Sequence, residues 1–132
     1  MSSEQLVTHW LETSDRDFDA MLWLFKGKRY TQSLFFGHLT IEKLLKAIYA
    51  KVHVESPHAP KSHDLLFLAR RSNIELDEQT EDHLERVTDF NLATRYEDEK
   101  QRFYKKCTEE FTALQINIIK ELREWLKKLI AE

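Results

Sequence analysis

A chain of 132 residues is the length of one domain, read here as a single unit over residues 1–132, and is long enough to bury an ordinary core without a metal or disulfide staple. With 20 Lys and Arg against 23 Asp and Glu, its formal net charge of -3 excludes a uniformly basic surface for long nucleic acid but leaves room for a local basic groove. Two glycines, two prolines and one cysteine, with no signal peptide and no apolar run long enough to span a membrane, point to an all-α protein of a reducing, cytoplasmic compartment.

Ser2 or Ser3 is placed to cap a first helix, with Gln5 in capping-box spacing from Ser2. The pattern predicts this helix to about Lys26, ahead of Gly27, with Leu6, Trp10, Met21 and Leu24 turned inward. A second helix follows from about Tyr30, where Leu34, Ile41 and Ile48 recur every seven residues. His38, Leu45 and Val52 form an interleaved row, so the seam carries one polar residue. Pro57 and Pro60 bar the helix from continuing, because neither has an amide proton to donate.

Ser62 is the expected cap of a short third helix through LLFLARRS, and Asp77 that of a fourth reaching about Thr94, with Leu84, Val87 and Asn91 on one face. From near Glu99 a long last helix is predicted. Its seam reads Phe103, Cys107, Phe111, Leu114, Ile118, Leu122, Trp125 and Leu129. Long amphipathic helices joined by short loops imply an antiparallel up-and-down bundle of four to five helices.

Three polar groups could carry chemistry. His38, Glu42 and Lys46 follow one stripe of the second helix with Lys43 beside it, which serves either as a solvated charge stripe or as a site. His38 lies on the seam and needs a hydrogen-bond partner there. His63 and Asp64 open the third helix, where Asp64 is explained by capping while His63 suits a structural hydrogen bond or proton transfer. Arg95 and Tyr96 stand at the next junction. They serve either to close a helix end or as a phosphate-binding cation beside an aromatic platform, with Lys100, Arg102, Lys105 and Lys106 following. His53, His58 and His63 are spaced five and five on a proline-bound connector, a loose fit to metal-ligand spacing without a cysteine pair. No metal or cofactor is assigned.

The run GKRYTQSLFFGHLTIEKLLKAIYA, the proline-containing linker to SHDLLFLA, and ATRY ahead of a long last helix together resemble the HEPN domain (higher eukaryotes and prokaryotes nucleotide-binding) over nearly the whole chain. The most specific matches are Glu42, Lys43 and Lys46, the His63, Asp64, Leu65 trio, and the pair Arg95, Tyr96. The resemblance implies a homodimeric helical bundle of prokaryotic cytoplasm. It also implies nucleotide or RNA binding and a minimal nucleotidyltransferase partner in a toxin–antitoxin-like module. Many such domains are metal-independent RNases with an arginine followed after four to six residues by a histidine. Here Arg95 is followed by Lys100, Gln101 and Arg102 at those positions, and Glu97 stands where related sequences carry proline. The cleavage motif is therefore incomplete, and the expectation leans towards a binding module whose phosphate groove is lined by Arg95, Lys43, Lys46 and His63, with Tyr96, Glu42 and Asp64 as further ligand-binding residues. Two alternatives stay open: an RNase using His63 or His38 for proton transfer, and a structural helical dimerisation or interaction protein motivated by off-seam Trp23, Phe25, Phe35 and Phe36.

Overall fold

A computed structural model describes residues 1–132 as six α-helices and one 3-10 turn, with no strand. α1 spans Ser3–Lys26 and α2 Tyr30–Val52, the two joined by a three-residue turn that lays them antiparallel. Ser2 caps α1 with the full reciprocal box: its hydroxyl accepts from the Gln5 amide, and its own amide donates to the Gln5 side chain. Three serines then pin α1 to α2 by donating to backbone carbonyls across the interface, Ser3 to Ala50, Ser14 to Thr40 and Ser33 to Met21. Small hydroxyl side chains allow the two backbones to approach closely. Gly37 extends this, since a Cβ there would lie 2.5 Å from Ile119 Cδ1 and 3.0 Å from Met21 Sδ.

α2 is the central helix. Its heptad residues Leu34, Ile41 and Ile48 are buried with Leu44 and Leu45, and His38 sits among them with no exposed surface. The helix ends four residues before Pro57, at His53, whose ring packs 4.1 Å from that of Tyr49 and contacts the Arg71 carbonyl at 2.8 Å. The prolines lie in the connector beyond that end.

α3 covers Leu65–Arg71 and α4 Glu78–Thr88. The cap of α3 is Asp64 and not Ser62: the Asp64 carboxylate accepts from the Phe67 amide, while Ser62 supports it by accepting from the Asp64 amide. Asp77 caps α4 as expected, accepting from Thr80 at 2.7 Å. α4 stops at Thr88, short of the expected Thr94, and the chain runs on through a 3-10 turn, Leu92–Thr94. Leu84, Val87 and Asn91 are nonetheless all buried, Asn91 as the cap of that turn.

The expected long last helix is two helices, α5 over Glu97–Lys106 and α6 over Glu109–Ala131. The break falls at Cys107, and Thr108 caps α6 by accepting from the Phe111 amide. With the break, the inward row rotates: Thr112, Ile116, Ile119, Leu122 and Leu126 are buried, whereas Leu114, expected inside, is exposed. Phe111, Ile118, Trp125 and Leu129 flank the core half-buried. The outcome is an all-helical bundle with α2 packed between α1 and α6, and with α3 and α4 packed on each other and on α2. No helix is long and apolar enough to cross a membrane.

Candidate functional site

Helical periodicity places His38 and Glu42 one turn apart on α2, and the connector before α3 brings His63 over them. Glu42 is 4% exposed, a burial that a carboxylate tolerates only with partners. It has two: its Oε1 lies 2.7 Å from His63 Nδ1, and its Oε2 accepts from Lys46 Nζ at 3.1 Å. His38 Nε2 is 3.8 Å from the same Oε1 and makes its hydrogen bond to the His63 carbonyl at 3.0 Å. A carbonyl only accepts, so the His38 proton is on Nε2, leaving Nδ1 buried without a partner. Burial pushes the His38 pKa down, opposed by the His63 carbonyl and the Glu42 charge, so the ring is neutral. The His63 ring itself is half-exposed, held from one side by a buried carboxylate.

Lys43 belongs to a different contact. It reaches Asp17 on α1 at 2.5 Å, an inter-helix ion pair. Lys46 lies 5.1 Å from the centre of the Trp10 ring, so its stem covers α1 as well. Asp64 is occupied in capping α3.

Arg95 stands elsewhere. Its guanidinium donates to the Asp89 carbonyl and stacks 4.8 Å from the centre of Phe103, whose other neighbour is the Phe90 ring at 5.6 Å. A cavity of about 540 Å³ opens beside it between α4 and α5. Four cations, Arg86, Arg95, Arg102 and Lys106, line it against two carboxylates, Asp89 and Glu99. Phe103 and Phe111 supply apolar wall, with Lys106 5.2 Å from the Phe111 ring centre. Tyr96 is 78% exposed at the start of α5, its amide donating to Glu99. Excess positive charge around a walled concavity is the arrangement that takes a phosphate, and a guanidinium fixed by stacking presents its remaining N–H groups without further ordering.

The structure therefore divides the expected groove in two. It brings His38, Glu42, Lys46 and His63 together, and it places Arg95 in a cavity that none of these residues, nor Lys43, lines. Arg86 escaped the sequence reading, and Phe103 and Phe111 enter it only as part of the apolar seam. Both phenylalanines are spaced as core residues, and Arg86 lies on α4 whereas Arg95 lies in the junction ahead of α5, so no local spacing reports it. The three connector histidines also separate: His53 ends α2 against the Arg71 carbonyl, His58 is exposed, and only His63 meets another polar side chain. No group of three or more His, Cys, Asp or Glu side chains is placed to hold a metal ion.

The family model of the HEPN domain matches residues 7–129. The chain belongs to the HEPN domain family. Neither curated proteins nor solved structures give a match. HEPN membership accounts for the helical bundle and ties the domain in general terms to nucleotides and RNA. Within this HEPN domain, α2 with its polar cluster and the Arg95 junction both lie inside the matched span.

Proposed function

We propose that this HEPN domain is a binding module that holds the phosphate of a nucleotide or RNA in the Arg95 cavity. The observation that carries the reading is the cavity itself, where four cations face two carboxylates and Arg95 is fixed against Phe103. Tyr96 beside it offers an exposed ring for a base, and Lys43, Lys46, Glu42, His63 and Asp64 take the supporting role of setting α2 and α3 in place. In keeping with the family, the protein acts as a homodimer in a prokaryotic cytoplasm, with a minimal nucleotidyltransferase as partner in a toxin–antitoxin-like pair. Calorimetry with nucleotides and short RNAs tests the site. Wild type is expected to bind and Arg95→Ala to bind at least tenfold more weakly; no binding at millimolar ligand removes the reading. Light scattering of the isolated protein tests the dimer, and co-purification with a nucleotidyltransferase encoded beside it tests the partner.

A second reading, RNA cleavage, rests on the His63–Glu42 contact. A buried carboxylate that orients a half-exposed imidazole is the pairing a general base requires. Metal-free incubation with RNA tests it, and cleavage indifferent to His63→Ala rules this assignment out.

A further inference from the structure

α5 has a cavity on each side. Arg102, Phe103 and Lys106 line the one shared with Arg95, whereas Tyr104, Lys105 and Cys107 line a second cavity of about 470 Å³. The far wall of the second cavity is the turn between α1 and α2 and the start of α2, with Lys28, Arg29 and Tyr30. Three cations converge there, and no carboxylate is among its lining residues. The acid whose field reaches Tyr30 is Glu109, at the start of α6. On α5, Lys100 and Arg102 have carboxylate partners, as do Lys43, Lys46, Arg70, Arg123 and Lys127 on other helices. Lys28, Arg29, Lys105, Lys106, Arg86 and Arg95 have none. Unpaired cations also occur elsewhere, since seven of the 20 Lys and Arg residues are paired, but these six line the two cavities on either side of this one short helix.

On the second flank Tyr104 is 67% exposed, and at the other end of α5 lies Tyr96. Exposed tyrosines interleaved with unpaired cations match what a single strand offers, since its backbone needs positive charge and its unpaired bases need aromatic faces. A duplex has the phosphates but keeps its bases stacked. A helix with its side chains is about 10–12 Å across, so one mononucleotide cannot occupy both cavities, but a strand crossing α5 can.

We infer that the protein holds single-stranded RNA across α5, with phosphates in the cavities on both flanks and a base against Tyr104. The inference rests on the Arg95 reading and adds a second phosphate subsite formed by Lys28, Arg29 and Lys105, which makes the ligand a strand and not a free nucleotide.

The test measures binding of three probes: a mononucleotide, a labelled uridine oligonucleotide of about twelve residues, and a duplex of equal length. They are compared in wild type, in the triple variant Lys28→Gln, Arg29→Gln, Lys105→Gln, and in Tyr104→Ala. The triple variant is expected to bind the oligonucleotide at least tenfold more weakly and to lower the slope of log affinity against log salt by about 2, from roughly 0.7 per phosphate contact on a single strand. Its mononucleotide affinity stays within twofold of wild type. Tyr104→Ala weakens the oligonucleotide about tenfold and leaves the salt slope unchanged. Oligonucleotide binding unchanged in the triple variant, or duplex bound more tightly than the RNA strand, overturns the inference while mononucleotide binding still upholds the Arg95 reading. Failure of wild type to bind any probe removes both. Circular dichroism and melting of the exposed-site variants confirm that each is folded.

Discussion

His63 Nδ1 lies 2.7 Å from Glu42 Oε1, so a connector that contains both prolines of the chain is tied to the middle of the central helix by one charged hydrogen bond. That contact orders the approach to α3, because the next two residues are its cap Asp64 and buried Leu65. The Leu65 amide then donates to the Thr88 hydroxyl at the end of α4, at 3.1 Å. One carboxylate on α2 thus sets the relation of three helices.

Glu42→Gln should therefore destabilise the fold by about 1–3 kcal/mol, the range for impairing a buried hydrogen-bonded charge. The amide preserves shape but leaves Lys46 and His63 without their anion. Urea unfolding measures the loss. A double-mutant cycle with His63→Ala should show a coupling of at least about 0.5 kcal/mol, and strict additivity would sink the claim that the two residues act as a pair.

Much of this arrangement could be read from the residues alone. Two helical rows on α2 located His38 inside and put Glu42 and Lys46 one turn apart, because a 3.6-residue period is a local property of the chain. The family resemblance singles out Glu42 and His63 without joining them, since a separation of 21 residues across a turn has no periodic signature. The Arg95 cavity was legible in part: Arg95, Arg102 and Lys106 stand in one run of cations, but Arg86 comes from α4 and the phenylalanines are spaced as core. The junction of α5 and α6 was hidden for a related reason. Phe103, Cys107 and Phe111 keep four-residue spacing straight across the break, and neither glycine nor proline marks it. The available sign was Thr108 followed by Glu109 and Glu110, a cap ahead of an acidic first turn.

Thr108→Ala tests that junction. The hydroxyl accepts from the Phe111 amide at 3.1 Å and is exposed, so its removal costs the cap and little packing. A loss of about 1 kcal/mol is expected in thermal or urea unfolding. No change would mean that α5 and α6 continue as one helix in solution. Thr108→Asp should restore stability, since aspartate caps equally well and favours the helix N-terminus.

Gly37→Ala sets two effects against each other. Alanine in a helix interior gains up to about 1 kcal/mol over glycine, but its Cβ would meet Ile119 Cδ1 at 2.5 Å and Met21 Sδ at 3.0 Å. Both are ends of flexible side chains, yet both residues are fully buried and have no space to retreat into. Overpacking of this kind costs about 1–3 kcal/mol, so a net destabilisation of roughly 1 kcal/mol is expected. Gly37→Ala combined with Ile119→Val should recover part of it. A single variant more stable than wild type would show that α1, α2 and α6 do not cross this closely.

His38 gives the fold a defined response to acid. Its pKa lies below the ordinary 6.5, first because burial disfavours the imidazolium, and its bare Nδ1 would gain a proton with no acceptor to meet it. The unfolded chain therefore binds this proton more readily than the folded one, and stability rises with pH wherever that holds. The contribution is complete above about pH 6.5 and is lost as the pH falls from there towards the depressed folded value, by up to about 1.4 kcal/mol per pH unit. Glu42, Lys46 and His63 face the ring and remain in a His38→Gln variant, whose amide can still donate to the His63 carbonyl. Urea unfolding at pH 7 and pH 5 should then show a smaller acid-induced loss in His38→Gln than in wild type. Equal losses would mean that His38 is already protonated in the folded state, and the neutral, Nε2-protonated ring assigned to it would be wrong.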